Sequence, residues 1–345
     1  MTGRDGFAFG GVTLAPGERR TVDLPVSVLS DHTPVTMSVR VIHGKRPGPV
    51  LFVSAAVHGD EVIGVEIARR LLRAPQLKNI AGTLLVVPIV NTFGFLNNSR
   101  YMPDRRDLNR VFPGSPTGSL AARLAHLFMS EIVARADFGI DLHSAAMHRT
   151  NMPQIRVSAS NEATLERAEA FGAPIIIRAR LREGSLRQAA KARGCDMLLY
   201  EAGEALRFDE LSARVGSSGI LRVMHQMGMI SAKGLPKRRA SPIQASSSAW
   251  VRAPAGGLLR CFKEVGEGVE AGTLLASVTD PFGEVEQPIT APAPGIILGR
   301  AMMPVINEGD ACYHIAATSI DPLVRMARLA ADLEADPMFD EDEIL

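Results

Sequence analysis

The chain has 345 residues, of which 46% are hydrophobic, and its 38 Lys and Arg are balanced by 37 Asp and Glu. This composition allows a large buried core. The balance of charges argues against a nucleic-acid-binding protein, which needs a basic excess. The sequence contains no run of about 18 apolar residues, which argues against a membrane-spanning protein. The N-terminal residues show no signal-peptide pattern, and Cys195, Cys261 and Cys312 form no disulfide framework or CxxC site, so we expect a reducing, cytoplasmic location.

The first segments in chain order predict an α/β domain. Apolar residues alternate over 35–41, as in a half-buried strand, and the apolar run 50–57 leads through the residues HGDE into an amphipathic stretch at 62–72. A strand, a tight turn and a helix in this order form one α/β unit. Strand and helix patterns then continue to alternate at 83–90, 120–134, 138–142, 165–171, 175–177, 186–193 and 197–200. We therefore expect an α/β domain over residues 1–235, with a mixed, mostly parallel sheet.

The composition changes after this domain. Residues 236–248 are rich in Ser, Pro, Lys and Arg, which is typical of a linker. Residues 249–318 contain short strand patterns separated by Gly and Pro, and they predict a small all-β module. For residues 319–345 we expect a helix that begins at Asp321-Pro322, followed by an acidic tail.

Three residues suggest a catalytic metal site. His58 and Glu61 are three positions apart where a predicted strand gives way to a helix, and His143 lies at the end of another predicted strand. Sites in open α/β sheets form outside the carboxyl ends of the strands, so these side chains can converge. Two His and one Glu leave a fourth zinc position open for water, and Asp141 can support the site from behind. An HxxE pair alone is a weak signal, so ordinary structural roles remain the alternative.

A second motif, DLNRVFPG, contains Asn109 and Arg110, and Arg100 precedes it in NNSR. Arginine together with asparagine can clamp a carboxylate in planar, bidentate geometry. A solvated polar loop is the alternative on composition alone.

The motifs HGDE, DLNRVFPG and DLHS, in this order, resemble the succinylglutamate desuccinylase/aspartoacylase family of the zinc carboxypeptidase clan. The resemblance covers residues 45–318 and implies a zinc-carboxypeptidase-like domain followed by a lipoyl-like β module. It implies one zinc ion per chain, held by His58, Glu61 and His143. It also implies that Asn109 and Arg110 bind the substrate and that Arg100 faces the scissile carbonyl.

A hydrolase of this kind needs a carboxylate that moves a proton from water to the leaving group. Glu201 in LLYEAGE follows an apolar strand pattern and resembles the family's E-x-G segment, which carries the catalytic glutamate. Glu204 stands where many relatives have glycine, so it is the alternative base.

The resemblance implies a deacylase that hydrolyses the amide, or the ester, of a small N-acyl amino acid or related carboxylate. The alternatives are a zinc carboxypeptidase acting on short peptides and a non-catalytic binding relative. A carrier role for the β module is disfavoured because its expected exposed hairpin, near residues 279–283, has no lysine to modify. The expected partner is a small acylated substrate with a carboxylate, without nucleic acid or membrane, and a homo-oligomer is left open.

Overall fold

The structure, a computed structural model, describes residues 4–158, 161–235 and 241–318. The helix and acidic tail predicted for residues 319–345 lie outside the described residues. Within the described ranges the helices are α1 Ile63–Arg73, α2 Thr92–Leu96, α3 Leu120–Glu131, α4 Glu162–Phe171, α5 Leu186–Ala192 and α6 Glu210–Gln226. None of these helices is both long and apolar enough to cross a bilayer.

The strands of the first part of the chain are β1 Phe7–Phe9, β2 Val12–Leu14, β3 Arg19–Val28, β4 Pro34–His43, β5 Arg46–Ala55, β6 Ala81–Val87, β7 Phe138–Ala145, β8 Arg149–Val157, β9 Ile175–Arg178 and β10 Asp196–Glu204. The later strands are β11 Ile243–Ala245, β12 Ser248–Arg252, β13 Gly257–Cys261, β14 Gly268–Val269, β15 Leu274–Thr279, β16 Glu286–Thr290, β17 Gly295–Ala301, β18 Val305–Ile306 and β19 Ala311–Ala317. Among the described residues, thirteen of these strands form one mixed sheet.

The centre of this sheet is parallel, in the order β10-β7-β5-β6. Its strands are apolar on both faces because helices cover both faces, as expected for buried parallel strands. One apolar core lies between the sheet and helices α1, α4 and α6, and a second lies between the sheet and helices α3 and α5. The predicted α/β fold with a mostly parallel central sheet is therefore confirmed.

Helix α6 was not predicted because its sequence VGSSG contains residues that disfavour a helix interior. In the structure these small residues allow close packing. A Cβ at Gly219 would lie 2.4 Å from the Phe171 ring, and one at Gly216 would lie 2.5 Å from Ile67. The glycines are therefore explained by contacts with neighbouring helices and not by a turn.

Strand β8 was also not predicted, because Pro153 lies in its interior and proline cannot donate to a strand ladder. In the structure, this proline lies between two segments of β8 that pair with different strands. Strand β17 pairs with residues 149–151, and β9 pairs with residues 154–157 on the other side of Pro153.

The all-β part of the chain is joined edge to edge to the α/β sheet. Strands β12, β17 and β19 extend the large sheet through the β17–β8 pair, while β13, β15, β16 and β18 form a separate four-stranded sheet. An apolar core lies between this small sheet and strands β17 and β19. Within the range predicted as a linker, Ile243–Ala245 forms β11 and pairs with β9. This strand is too short to give a recognisable pattern, although Ile243 and Ala245 are buried.

Candidate metal centre and cavity

The structure brings His58, Glu61 and His143 together. His58 follows β5, Glu61 lies in the turn before α1, and His143 is in β7, which is the parallel neighbour of β5. Their possible ligand atoms all lie within 4.8 Å of one another. The three residues are at most 3% exposed, so the cluster is shielded from bulk water.

The Glu61 carboxylate lies between the two imidazole rings. Its Oε1 is 2.7 Å from His58 Nδ1, and its Oε2 is 2.7 Å from His143 Nδ1. The backbone N–H of Ser144 also donates to Oε2, at 3.2 Å. Both Nδ1 atoms therefore point to one common position.

The other ring nitrogen of each imidazole lies within hydrogen-bonding distance of a second carboxylate. His58 Nε2 is 3.0 Å from Asp107 Oδ1, and His143 Nε2 is 2.8 Å from Asp141 Oδ2. A carboxylate on one ring nitrogen fixes the tautomer and leaves the other nitrogen free as a ligand. Asp141 was predicted in this position, whereas no pattern beyond the DLNR motif itself pointed to Asp107.

The charges of the cluster are strongly coupled. Burial alone would raise the pKa of Glu61, but His58 and His143 outweigh it and hold this pKa far below its usual value. Burial would lower the pKa of both imidazoles, but for His143 the charges of Asp141 and Glu61, and for His58 mainly that of Glu61, raise it. The negative charge of the buried Glu61 carboxylate therefore stabilises positive charge on the two imidazoles beside it.

The donor set fits zinc. Two imidazole nitrogens and one carboxylate are ligand types that Zn²⁺ takes in catalytic sites with three protein ligands. A divalent cation would also supply the positive charge that the imidazoles otherwise provide by binding protons.

Arg100 lies directly beside this cluster. Its Nη1 donates to Glu61 Oε1 at 3.2 Å, and its Nη2 donates to Asp107 Oδ2 at 3.0 Å. Burial would lower the pKa of this guanidinium, but Glu61 and Asp107 raise it, so the side chain is firmly charged. The structure therefore brings Arg100 to the same cavity as the three possible ligands.

Asn109 and Arg110 lie in a short helical turn that begins after Asp107, whose carboxylate accepts the Asn109 N–H at 2.9 Å. The Asn109 Oδ1 accepts from Leu186 N at 2.9 Å, which ties this turn to the start of α5. Arg110 Nη1 donates to the carbonyl of Asn109 at 2.6 Å. Both side chains line the cavity that contains the metal cluster.

Glu201 and Glu204 differ in position. Glu201 lies opposite His143 in the β10–β7 register and lines the cavity, where its Oε2 accepts from Asn151 Nδ2 at 3.0 Å. A register shift separates it from Glu204, whose Oε1 accepts from the His148 N–H at 2.9 Å. Of the two carboxylates, the structure brings Glu201 into the cavity and ties Glu204 to the backbone.

The cavity has a volume of about 380 Å³, which suits a small molecule. Its lining carries a large excess of positive charge, with seven arginines against three carboxylates: Arg100, Arg110, Arg149, Arg156, Arg180, Arg182 and Arg187, against Glu61, Asp141 and Glu201.

Several lining residues were missed from the sequence. Arg149, Asn151 and Arg156 lie on the unpredicted strand β8, and Trp250 reaches the cavity from β12. The polar positions of residues 149–156 are compatible with a site-facing strand, but a proline in its interior, here Pro153, is atypical of one. The position of Trp250 depends on the joining of the two sheets, for which no local signal exists.

Known proteins resemble this chain in sequence and in fold. Residues 47–227 match the model of the succinylglutamate desuccinylase/aspartoacylase catalytic domain. The N-alpha-acetyl-L-2,4-diaminobutyric acid deacetylase of Halomonas elongata is 26% identical over 281 residues, which are 78% of this chain and 82% of that protein.

Two solved structures have the same fold. The succinylglutamate desuccinylase/aspartoacylase from Rhodobacter sphaeroides is 26% identical, with a TM-score of 0.79 and coverage of 92% of this chain and 97% of that chain. The product-bound ectoine utilization protein EutE (DoeB) from Ruegeria pomeroyi is 24% identical, with a TM-score of 0.79 and coverage of 91% and 96%.

Proposed function

Because the chain belongs to the succinylglutamate desuccinylase/aspartoacylase family, we propose that it is a zinc-dependent deacylase that hydrolyses a small N-acyl amino acid. The observation that carries this proposal is the convergence of His58, Glu61 and His143 in a cavity that also contains Glu201. The name of the Halomonas elongata relative, a deacetylase of an N-acetylated amino acid, supports the same class of substrate.

His58, Glu61 and His143 would hold one zinc ion per chain. Zinc in such a site supplies Lewis-acid activation of water and of the scissile carbonyl. Asp107 and Asp141 keep the imidazoles in the ligating orientation through their bonds to the Nε2 atoms.

Glu201 is the proposed general base. It takes a proton from the attacking water and passes it to the nitrogen of the leaving amine, which balances the proton over the hydrolysis. Asn151 orients this carboxylate by donating to Oε2, while Oε1 lies 3.7 Å from Arg156 Nε. Arg100 is the proposed donor that stabilises the negative charge developing on the carbonyl oxygen.

Asn109 and Arg110 are the proposed clamp for the substrate carboxylate. Arginine binds carboxylates bidentately, and the Asn109 carbonyl oxygen that accepts from Arg110 Nη1 holds the guanidinium in place. The small volume of the cavity favours an acylated amino acid over a peptide as substrate. A deacylase is therefore the first candidate, and a carboxypeptidase is the second.

Replacing Arg110 by Ala should raise KM by at least about tenfold with a smaller effect on kcat, because a carboxylate clamp binds the ground state and the transition state alike. The measurement is steady-state hydrolysis of an N-acyl amino acid. The matched control is Arg106→Ala in the same loop, where the side chain is exposed and pairs with Asp104, and it should leave KM unchanged.

The same assay tests the substrate class. The wild-type protein should prefer a free acid over its methyl ester by at least about tenfold in kcat/KM, because the ester leaves the arginine without a charged partner. Equal values for acid and ester would contradict a carboxylate clamp. Faster cleavage of short peptides than of N-acyl amino acids would favour the carboxypeptidase.

A further inference from the structure

A second cavity lies at the amino ends of the parallel strands β5 and β6, where Arg46 pairs with Ala81. The metal cluster is at the opposite ends of these strands. Since β5 has ten residues, each with a rise of about 3.3 Å, about 30 Å separate this cavity from the turn that carries His58. Its volume of about 480 Å³ is within the range of small-molecule sites, and the proposed function assigns it no role.

The charged side chains around this cavity are all positive. Its described lining contains no Asp or Glu but carries four cations: Arg19, Lys45, Arg46 and Lys78. None of the four forms an ion pair with a described residue. The neighbouring Glu18 does not line the cavity, and its Oε2 accepts from Ala15 N at 2.9 Å. A cleft lined by one sign of charge attracts ligands of the opposite sign, so this basic cavity favours an anion.

The two arginines are held by the short helical turn before β6. Arg19 Nη2 donates to the carbonyl of Leu77, and Arg46 Nη2 donates to the carbonyl of Asn79 at 3.2 Å. Each of these bonds uses one of the five N–H donors of a guanidinium. Both arginines are therefore tethered at the cavity with most of their donors left for a ligand.

The two lysines come from different segments of the chain. Lys45 is in the turn between β4 and β5, and its side chain lies across Gly17, where a Cβ would be 2.8 Å from Lys45 Cε. Lys78 is in the helical turn before β6. Neither ammonium group makes a hydrogen bond to a described residue. The lining also includes three buried apolar residues, which offer no side-chain acceptor to these cations: Ile42, Leu77 and Ile80.

We propose that this basic cavity binds a small molecule that carries a diphosphate or a longer phosphate chain. Arginine binds phosphate oxygens with two parallel N–H groups, and lysine binds them as a point charge. The four cations come from three segments, namely β3, the β4–β5 turn and the turn before β6. A phosphate chain offers oxygens on two or more phosphorus atoms to these segments, whereas a single carboxylate offers only two oxygens. The site is remote from the metal cluster, so it is independent of the proposed function.

Binding is measured by isothermal titration calorimetry of the zinc-loaded protein with inorganic pyrophosphate, orthophosphate, citrate and ADP, with the zinc content checked before and after. Pyrophosphate should bind at about one ion per chain and at least about tenfold more tightly than orthophosphate, because it can make more charge-assisted hydrogen bonds. It should also bind more tightly than citrate, which carries carboxylates in place of phosphates. ADP identifies the source of the phosphate chain. Affinities of ADP and pyrophosphate within about twofold indicate a free phosphate chain, and an affinity for ADP that is about tenfold higher indicates a nucleotide.

Replacing Lys45 and Lys78 together by Gln should weaken pyrophosphate binding by at least about tenfold, because two charged donors are lost. Replacing both by Arg keeps the charges and should keep the affinity within about threefold. The matched control replaces two exposed arginines that line neither cavity, Arg123 and Arg193, by Gln, and it should leave the affinity unchanged. None of these residues belongs to the metal site, so all variants should retain the zinc of the wild-type protein.

The sole tryptophan, Trp250, reports on the other cavity, which it lines. Pyrophosphate at the basic cavity should leave Trp250 fluorescence unchanged. Binding that changes this fluorescence and persists in the Lys45→Gln/Lys78→Gln variant would place the anion at the metal cluster and overturn the proposal. Orthophosphate or citrate binding as tightly as pyrophosphate would also overturn it. Because no hydrolysis is measured, these outcomes are distinct from a failure of the proposed deacylase activity.

Discussion

Replacing Glu201 by Gln should lower kcat by about 10²–10⁴-fold while the protein keeps its zinc, because glutamine fills the same space but cannot accept the proton of the attacking water. Glu201 lines the cavity beside His143 and does not belong to the cluster of possible ligands. The measurement combines steady-state hydrolysis of an N-acyl amino acid with elemental analysis of the same preparation.

Glu204→Gln is the matched control for this experiment. Its carboxylate accepts a backbone hydrogen bond from His148 and lies three residues further along β10, so its loss should change kcat far less. If Glu204→Gln lost activity and Glu201→Gln kept it, the assignment of the base would be reversed. If Glu201→Gln lost zinc as well as activity, Glu201 would be a ligand and not a base.

Replacing His58 by Ala should remove both the bound zinc and the activity. This change deletes one of three ligands and leaves Glu61 and Asp107 without the imidazole that lies between them. Zinc affinity falls about 10–100-fold when only an outer hydrogen-bond partner is lost, so the loss of a ligand should be larger. The measurement is zinc per chain after dialysis, together with kcat/KM.

His126→Ala is the control, because His126 lies on α3 and does not line the cavity among the described residues. It should keep about one zinc per chain. A His58→Ala protein that retained stoichiometric zinc and full activity would exclude this metal site.

The parts of the site that were predicted from the sequence are those encoded locally. The HxxE pair lies in the turn that ends β5, and His143 and Glu201 lie on the adjacent parallel strands β7 and β10. Since the carboxyl ends of parallel strands share one edge of the sheet, strand patterns with polar ends indicated that these residues could converge, and the family resemblance supplied their roles.

The parts that were not predicted depend on contacts between distant segments. Asp107 meets His58 across 49 residues, and Asn151 meets Glu201 across 50. Trp250 reaches the cavity because β17 pairs with β8 and joins the all-β part to the main sheet. Backbone pairing of this kind leaves no periodic pattern in either segment, so the sequence indicated the chemistry but not the full lining of the cavity.

The most direct test of the proposed function is hydrolysis of N-acyl amino acids by protein that has been stripped of metal and then titrated with zinc. Release of free amine should be absent from the stripped protein and should rise with added zinc until about one ion per chain is bound. A protein that binds one zinc per chain and releases no amine from any N-acyl amino acid, or that is equally active without metal, would contradict the account.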